Sequence, residues 1–165
     1  MIFVTVGTHE QSFNRLIEYI DALKKEGEIK DNVIIQKGYS TYIPEYCQCY
    51  DFLPYKLMNK YVKEADIVIT HGGPATFLMP LRYNKIPIVV PRQKKFNEHI
   101  NNHQVEFVKF LEKKSNNIIP IYDIDKLKKV IQNYNFIIEN MSNIEQSNTN
   151  DFNEKFNEVI NELFK

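Results

Sequence analysis

Short apolar runs alternate with longer segments of helical periodicity along most of this chain. The run Ile2–Val6 is followed by apolar residues at helical spacing from Phe13 to Leu23, and Gly27 ends that pattern. Strands are predicted at residues 2–6, 33–35, 47–53, 66–70, 86–90 and 118–122, with a helical segment after most of them. Parallel strands need a crossover of about a dozen residues, usually a helix, so this alternation predicts a parallel sheet.

The predicted strands are almost wholly apolar, as expected of strands that helices cover on both faces. We therefore predict an α/β fold, a doubly wound Rossmann-like parallel sheet of about six strands. A length of 165 residues allows one such domain with a sizeable core. The predicted division is a Rossmann-like domain at 1–135, a polar linker at 136–150 and a C-terminal helix at 151–165. The apolar face of that last helix contains Phe156, Val159, Ile160 and Leu163.

Charge and cysteine content exclude several classes of protein. The 21 basic and 21 acidic residues balance to a net charge of zero, which disfavours nucleic acid as a partner. Cys47 and Cys49 are expected to be reduced thiols in a cytoplasmic protein. Residues 1–6 lack the basic start of a signal peptide, and no apolar run approaches the about 18 residues of a membrane span.

The loops that follow predicted strands one, four and five are the expected binding region, because ligands of open α/β sheets lie beyond the carboxyl ends of the strands. In the fourth-strand loop, Gly72 and Gly73 permit a close backbone approach, and Pro74 begins a helix whose free N–H groups attract phosphate. His71 can donate to a phosphate oxygen. The same loop also fits an ordinary tight turn between a strand and a helix. Neither a Walker motif nor the dinucleotide fingerprint G-x-G-x-x-G is present.

The segment after the fifth strand is unusually polar for a core helix. Its amide, imidazole and carboxylate groups suit the hydroxyls of a sugar, and they equally suit a solvated helix start. The basic cluster around Arg92 fits either a diphosphate or water. No tight metal-ligand spacing such as H-E-x-x-H is present, so no metal is expected. The polar residues are Glu98, Asn101, Asn102, His103 and Gln104.

Three segments together resemble a known family. They are Gly7-Thr8-His9, His-Gly-Gly-Pro-Ala-Thr at 71–76, and Glu-His-Ile-Asn-Asn-His-Gln at 98–104. Over about residues 1–111 the chain resembles the C-terminal, donor-binding domain of glycosyltransferase family 28. It is most similar there to short bacterial capsule and exopolysaccharide glycosyltransferase subunits, and to the soluble subunit of the dolichol-linked N-acetylglucosaminyltransferase.

The resemblance implies one half of a two-domain GT-B fold that binds a nucleotide sugar. It places the diphosphate near the glycine loop and the donor sugar near residues 98–104. Many members carry a glutamate that holds the ribose, and this chain has Met79 at that position. The implied ligand-binding residues are Gly7, Thr8, His71, Gly72, Gly73, Ala75, Thr76, Arg92, Glu98, His103 and Gln104.

The activity implied by the resemblance is inverting transfer of galactose or N-acetylglucosamine from a UDP-sugar to a lipid-linked saccharide acceptor, in capsule or exopolysaccharide synthesis. No metal or other cofactor is expected. A separate membrane-associated subunit is expected to bind the acceptor and to recruit this cytoplasmic chain to the inner membrane face. His9 is the best internal candidate for the catalytic base.

Two other functions stay open at this point. The chain can instead be a non-catalytic UDP-sugar-binding or activating subunit of such a complex, which Met79 favours. A GT-B sugar-nucleotide epimerase is disfavoured, because those enzymes contain both halves in one chain. In isolation the chain can also form homo-oligomers.

Overall fold

The computed structural model describes residues 1–142. The chain divides into two compact units, Met1–Tyr134 and Asn135–Lys165. The strands are β1 Ile2–Thr5, β2 Val33–Gln36, β3 Gln48–Tyr50, β4 Ile67–His71, β5 Ile88–Val90 and β6 Ile119–Pro120. The helices are α1 Asn14–Lys25, α2 Tyr55–Glu64, α3 Pro74–Leu81, α4 His103–Lys114, α5 Leu127–Gln132 and α6 Tyr134–Ser142.

The strands form one parallel sheet in the order β3-β2-β1-β4-β5-β6. From the central β1 the chain moves outward through β2 and β3, then crosses to β4 and moves outward on the other side. The predicted doubly wound α/β fold is therefore confirmed. Its topological switch point lies between β1 and β4, where sheets of this kind bind ligands.

The sheet is covered on both faces, which explains its apolar strands. Leu16, Ile17 and Ile20 of α1 are fully buried. Another core cluster joins Phe3 and Val68 of the central strands to the neighbouring helices through Val62 and Met79. The helical residues that recur every three or four positions are the ones that supply this core.

Local signals account for two of the helix ends. Gly27, at φ +75°, follows the end of α1 and takes a backbone conformation that other residues rarely adopt. Pro74 stands in the first turn of α3, where its missing N–H leaves no helical hydrogen bond unmade.

Several predicted boundaries were wrong, including the start of the strand predicted at 86–90, which begins at Ile88. The helix predicted from Ile100 begins at His103, because the Asn101 side chain accepts a hydrogen bond from the His103 N–H at 3.1 Å and forms a turn before the helix. The strands predicted at 47–53 and 118–122 shorten to β3 and β6. Both lie at the edges of the sheet, where one short neighbour limits the length of pairing.

Helix α6 includes the first residues of the predicted linker at 136–150. The remainder of that linker and the C-terminal helix predicted at 151–165 lie outside the described residues, so this division stays a prediction. Among residues 1–142, none of the helices combines the length and apolar character that crossing a bilayer requires.

Candidate functional site

Buried polar side chains mark the carboxyl ends of the central strands. Thr5 pairs in register with Gln36 on one side and with Thr70 on the other, and all three are buried. The Gln36 side-chain amide accepts from the Thr5 hydroxyl and donates to the backbone oxygens of Gly7 and Asp51, each at 3.1 Å. Gln36 thereby connects the loops that follow β1 and β3.

His71, the last residue of β4, lies between two glycines. A Cβ atom on Gly7 would stand 2.4 Å from its Cε1, and one on Gly73 would stand 2.3 Å from its Nε2. Burial, assisted by the positive charge of Arg92, lowers the pKa of His71 to about 3. The imidazole is therefore neutral near pH 7. Its Nδ1 is buried and makes no hydrogen bond of ordinary geometry, although the Thr5 backbone is close enough to favour the charged ring. Nε2, which lies against Gly73, is the atom placed to contact a ligand.

The first turn of α3 presents free backbone donors beside this histidine. The N–H groups of Thr76 and Phe77 donate to the Gly73 oxygen at 3.1 and 3.3 Å. Those of Gly73 and Ala75 donate to no acceptor among the described residues. Free N–H groups and the positive end of the helix dipole favour an anion at this position.

These groups surround one cavity of about 620 Å³ at the switch point. Seven of the predicted site residues line it, from the β1 loop and from the β4–α3 turn. The cavity also has an aromatic and apolar side, which the site prediction had not included. The predicted residues are Gly7, Thr8, His9, His71, Gly73, Ala75 and Thr76, and the others are Thr5, Gln36, Phe52, Leu53, Tyr55, Met58, Pro74 and Met79.

Gln104, predicted to contact a sugar, holds the glycine loop. Its side-chain oxygen accepts hydrogen bonds from the Gly72 N–H at 3.0 Å and the Arg92 N–H at 3.1 Å. A Cβ atom on Gly72 would also crowd Gln104 Cβ at 3.0 Å. Gly72 therefore permits the contact by which α4 fixes the loop after β4.

Arg92, predicted to contact the ligand, is buried, and both terminal nitrogens of its guanidinium donate to backbone oxygens, while its Nε has no partner among the described residues. Its guanidinium donates to the backbone oxygens of Val6 at 3.0 Å, Gln11 at 2.6 Å and Glu98 at 3.1 Å. It also lies over the Phe13 ring at 4.9 Å. In the structure this residue holds the β1–α1 loop in place rather than lining the cavity.

Glu98 and His103 also lie outside the cavity wall. The buried Glu98 carboxylate accepts two hydrogen bonds from Arg15, at 2.7 and 2.9 Å, and one from the Gln93 N–H at 2.9 Å. His103 is 76% exposed and pairs with Glu106 on the same helix. Contacts of Arg92, Glu98, His103 and Gln104 with a ligand stay predictions that the structure does not test.

His9 lies in the cavity wall with two neighbours that the site prediction had not included. Its Nε2 is 2.9 Å from the Gln11 side-chain oxygen, and its ring stacks on His99 at 4.6 Å between centroids. Burial lowers the pKa of His99, with a further contribution from the charge of His9. His99 belongs to the motif at 98–104, which marked that segment as part of the candidate site. Gln11 belongs to no motif, so nothing in the sequence indicated its contact with His9.

Met79 stands in the cavity wall and is buried, at the position where the resemblance implies a ribose-binding glutamate. In the part of the chain that the structure describes, no three His, Cys, Asp or Glu side chains converge where they could hold a metal ion.

The profile of the Glycosyltransferase family 28 C-terminal domain matches residues 1–163. The chain belongs to this family. The match extends beyond the motifs at the switch point to almost the whole sequence.

A human relative, the UDP-N-acetylglucosamine transferase subunit ALG13 of Homo sapiens, is 36% identical over 121 residues. The match covers 68% of this chain and 10% of the human protein, so the chain spans about a tenth of that relative's length.

Two solved structures are similar to this chain at low sequence identity. The glycotransferase of kitacinnamycin has a TM-score of 0.55 at 15% identity, covering 80% of this chain and 34% of that protein. The glycosyltransferase SnogD from Streptomyces nogalater has a TM-score of 0.47 at 17% identity, covering 73% and 30%. The first of these agrees with the α/β architecture described above.

Proposed function

We propose that this chain is the donor-binding catalytic subunit of an inverting glycosyltransferase. It transfers galactose or N-acetylglucosamine from a UDP-sugar to a lipid-linked acceptor in capsular or exopolysaccharide synthesis. The observation that carries the proposal is the meeting of a neutral, buried His71 with the free N–H groups of Gly73 and Ala75 in one cavity. The family supports a transferase, and the name of the human relative supports a UDP-sugar donor.

The diphosphate of the donor binds at the first turn of α3. The free Gly73 and Ala75 N–H groups and His71 Nε2 donate to its oxygens, and the helix dipole stabilises its negative charge. These donors become more effective as the leaving diphosphate gains charge in the transition state. The chemistry proposed needs no metal ion or other cofactor.

The nucleoside end of the donor lies against the aromatic side of the cavity. Phe52 and Tyr55 line that wall and are 47% and 63% exposed, so their rings are free to contact a base. Met79 supplies an apolar contact, and its thioether gives the ribose hydroxyls no strong acceptor.

His9 acts as the general base in this proposal. The acceptor hydroxyl attacks C1 of the donor sugar, the bond from C1 to the diphosphate oxygen breaks, and the hydroxyl proton passes to the imidazole. UDP leaves with the electron pair of the broken bond. Inversion at C1 follows from attack opposite to the leaving group.

A membrane-associated partner subunit binds the lipid-linked acceptor and recruits the chain to the cytoplasmic face of the membrane. The cavity wall consists of residues from 5 to 79 of the donor-binding half, and an acceptor needs further contacts on the facing side. The printed name of the human relative, a transferase subunit, is consistent with such a division.

A non-catalytic UDP-sugar-binding subunit is the second candidate. The buried Met79 in the cavity wall favours it, because it weakens the expected grip on the ribose. The two candidates differ in the effect of His9→Ala in the assembled complex. Loss of turnover with unchanged UDP-sugar binding supports catalysis by this chain, and unchanged turnover supports the second candidate.

Isothermal titration of the purified chain with UDP, UDP-galactose, UDP-N-acetylglucosamine and ADP tests the donor site. We expect uridine nucleotides to bind equally well with EDTA and with added Mg²⁺. His71→Ala should weaken UDP binding about three- to tenfold, the worth of one hydrogen bond. The control Gln132→Leu, at an exposed glutamine outside the site, should leave UDP affinity unchanged. Binding of ADP alone, or only with Mg²⁺, would contradict the proposal.

A further inference from the structure

The side chain of Gln11 has a defined orientation in the loop between β1 and α1. Its Nε2 lies 3.3 Å from the backbone oxygen of Asn97, in the loop after β5. A carbonyl oxygen only accepts hydrogen bonds, so the amide nitrogen must face Asn97. The amide oxygen of Gln11 consequently faces the other way.

That oxygen lies 2.9 Å from Nε2 of His9. An amide oxygen also only accepts, so Nε2 of His9 must carry the proton of this hydrogen bond. A neutral imidazole has one N–H, and the lone pair is therefore on Nδ1. None of the described residues forms a hydrogen bond with His9 Nδ1.

The surroundings hold both residues in this arrangement. The buried Arg92 guanidinium donates to the Gln11 backbone oxygen at 2.6 Å, which holds the residue from which the amide extends. The His99 ring stacks on His9 with an angle of 18° between their planes. His99 itself accepts from the Asn101 N–H at 3.4 Å through Nδ1. The plane of the His9 ring and the partner of its Nε2 are thus both determined by the fold.

We propose that Gln11 is a positioning residue that holds His9 in the Nε2–H tautomer, so that Nδ1 is the atom that accepts the proton of the acceptor hydroxyl. The tautomer is inferred from the hydrogen bonds of Gln11, whereas the role of Nδ1 in proton transfer rests on the proposed function. In the reaction the hydroxyl proton moves to Nδ1 as the oxygen bonds to C1, and the diphosphate leaves with the electron pair.

Nitrogen NMR of the full chain tests the tautomer without any substrate. Long-range proton–nitrogen correlation of ¹⁵N-labelled protein, with the His9 signals assigned by their loss in His9→Asn, should show protonated Nε2 and unprotonated Nδ1. In Gln11→Leu the two tautomers should mix. Gln132→Leu, at an exposed glutamine that pairs with Glu28, is the matched control and should leave the His9 signals unchanged. Protonated Nδ1 in the native chain overturns the proposal.

Gln11→Glu provides a second variant that keeps an acceptor beside His9 Nε2. A carboxylate accepts from Nε2–H as the amide oxygen does, so the same NMR experiment on Gln11→Glu should again show protonated Nε2 and unprotonated Nδ1. The signals of the exposed His103 serve as the internal reference. Mixed tautomers in Gln11→Glu, as in Gln11→Leu, also overturn the proposal.

Activity of the assembled complex then separates this inference from the proposed function. Gln11→Leu should lower kcat about ten- to a hundredfold with little change in KM. In Gln11→Glu kcat should stay closer to the native value, because this variant keeps an acceptor beside His9 Nε2. If NMR confirms the tautomer but His9→Ala retains full turnover, the proposed catalytic role fails while the positioning by Gln11 stands.

Discussion

At the scale of single residues, the shape of the candidate site depends on two glycines, which leave room for the His71 ring. Gly7 and Gly73 both lie against the His71 ring, at distances that no Cβ atom tolerates. Gly73 has an ordinary φ of −81°, so close packing alone requires glycine there. Gly7 has a φ of +74° as well, which makes it unfavourable for other residues on two separate grounds.

Two alanine substitutions distinguish the cost of backbone strain from the cost of the clash with the His71 ring. Gly27 has almost the same φ, +75°, with no atom within 4 Å of an added Cβ, so Gly27→Ala should cost only about 1 kcal/mol of backbone strain. Gly7→Ala should cost about 1–3 kcal/mol more, because the His71 ring must move. Urea denaturation measures both values. Adding His71→Ala should recover most of the difference, and equal costs for the two single variants would refute the steric explanation.

The neutral state of His71 makes the stability of the fold depend on pH. Its pKa of about 3 in the folded chain lies below its ordinary value of 6.5, so below pH 6.5 only the unfolded chain takes up the proton. Each pH unit below 6.5 should therefore remove up to about 1.4 kcal/mol from the free energy of unfolding. This contribution is complete above pH 6.5 and is lost as the pH falls toward 3.

Urea denaturation between pH 6.5 and pH 5 measures this slope, in a range where most carboxylates stay ionised. The slope should become flatter in His71→Asn and should persist in His103→Asn, whose histidine is exposed. The same slope in native protein and His71→Asn would mean that His71 does not carry the effect.

At the scale of elements, the β1–α1 loop depends on an arginine from the other side of the switch point. Arg92 follows β5, and its guanidinium reaches the backbone oxygens of Val6 and Gln11 at the two ends of that loop. The loop carries Gly7, Thr8 and His9 into the cavity wall. One buried side chain therefore holds this loop against the segment that follows β5.

Arg92→Lys tests this role. A lysine keeps the charge but cannot direct donors to several separate carbonyl groups, so the substitution should cost about 2–4 kcal/mol of stability. UDP affinity should fall as well, because the loop loses its fixed position. Lys95→Arg, at an exposed cation in the same segment, is the control and should change neither quantity. Normal UDP affinity in a destabilised Arg92→Lys would show that the loop does not depend on Arg92.

At the scale of the whole molecule, the chain has the features of one side of an active site. The free N–H groups of α3 and the neutral His71 suit the diphosphate of the proposed donor, and all of them come from the switch point of a single sheet. Nothing in this arrangement selects a lipid-linked acceptor. The proposed function accordingly assigns acceptor binding to a second subunit.

The isolated chain should bind UDP-sugar and yet turn over little of it. Co-expression with a membrane-associated acceptor-binding subunit should restore transfer, measured as sugar incorporated into a lipid-linked acceptor. A complex containing His71→Ala should be impaired, and one containing Gln132→Leu, at an exposed glutamine outside the site, should be as active as the native complex. Full turnover by the purified chain alone would refute the two-subunit arrangement.

The extent to which the site could be predicted differed among its parts. Gly73, Ala75 and Thr76 were recognisable because a glycine pair between an apolar strand and a helix-starting proline is a local pattern. Phe52 and Tyr55 were not, because aromatic residues beside a proline fit many environments. Arg92 was assigned to a ligand since a basic cluster in sequence carries no sign of burial, and the fold instead surrounds it with backbone oxygens.

The alternation of apolar strands and amphipathic helices, the parallel sheet, and the loops that line the cavity at its edge all followed from the sequence, because periodicity and turn chemistry act between near neighbours in the chain. The tertiary structure decided the properties of the groups at that edge. The neutral state of His71, the burial of Arg92 and the orientation of Gln11 toward His9 depend on contacts such as Arg92 with Gln11, 81 residues apart. Burial and hydrogen-bond geometry arise only when such distant segments pack together, so no local pattern could encode them.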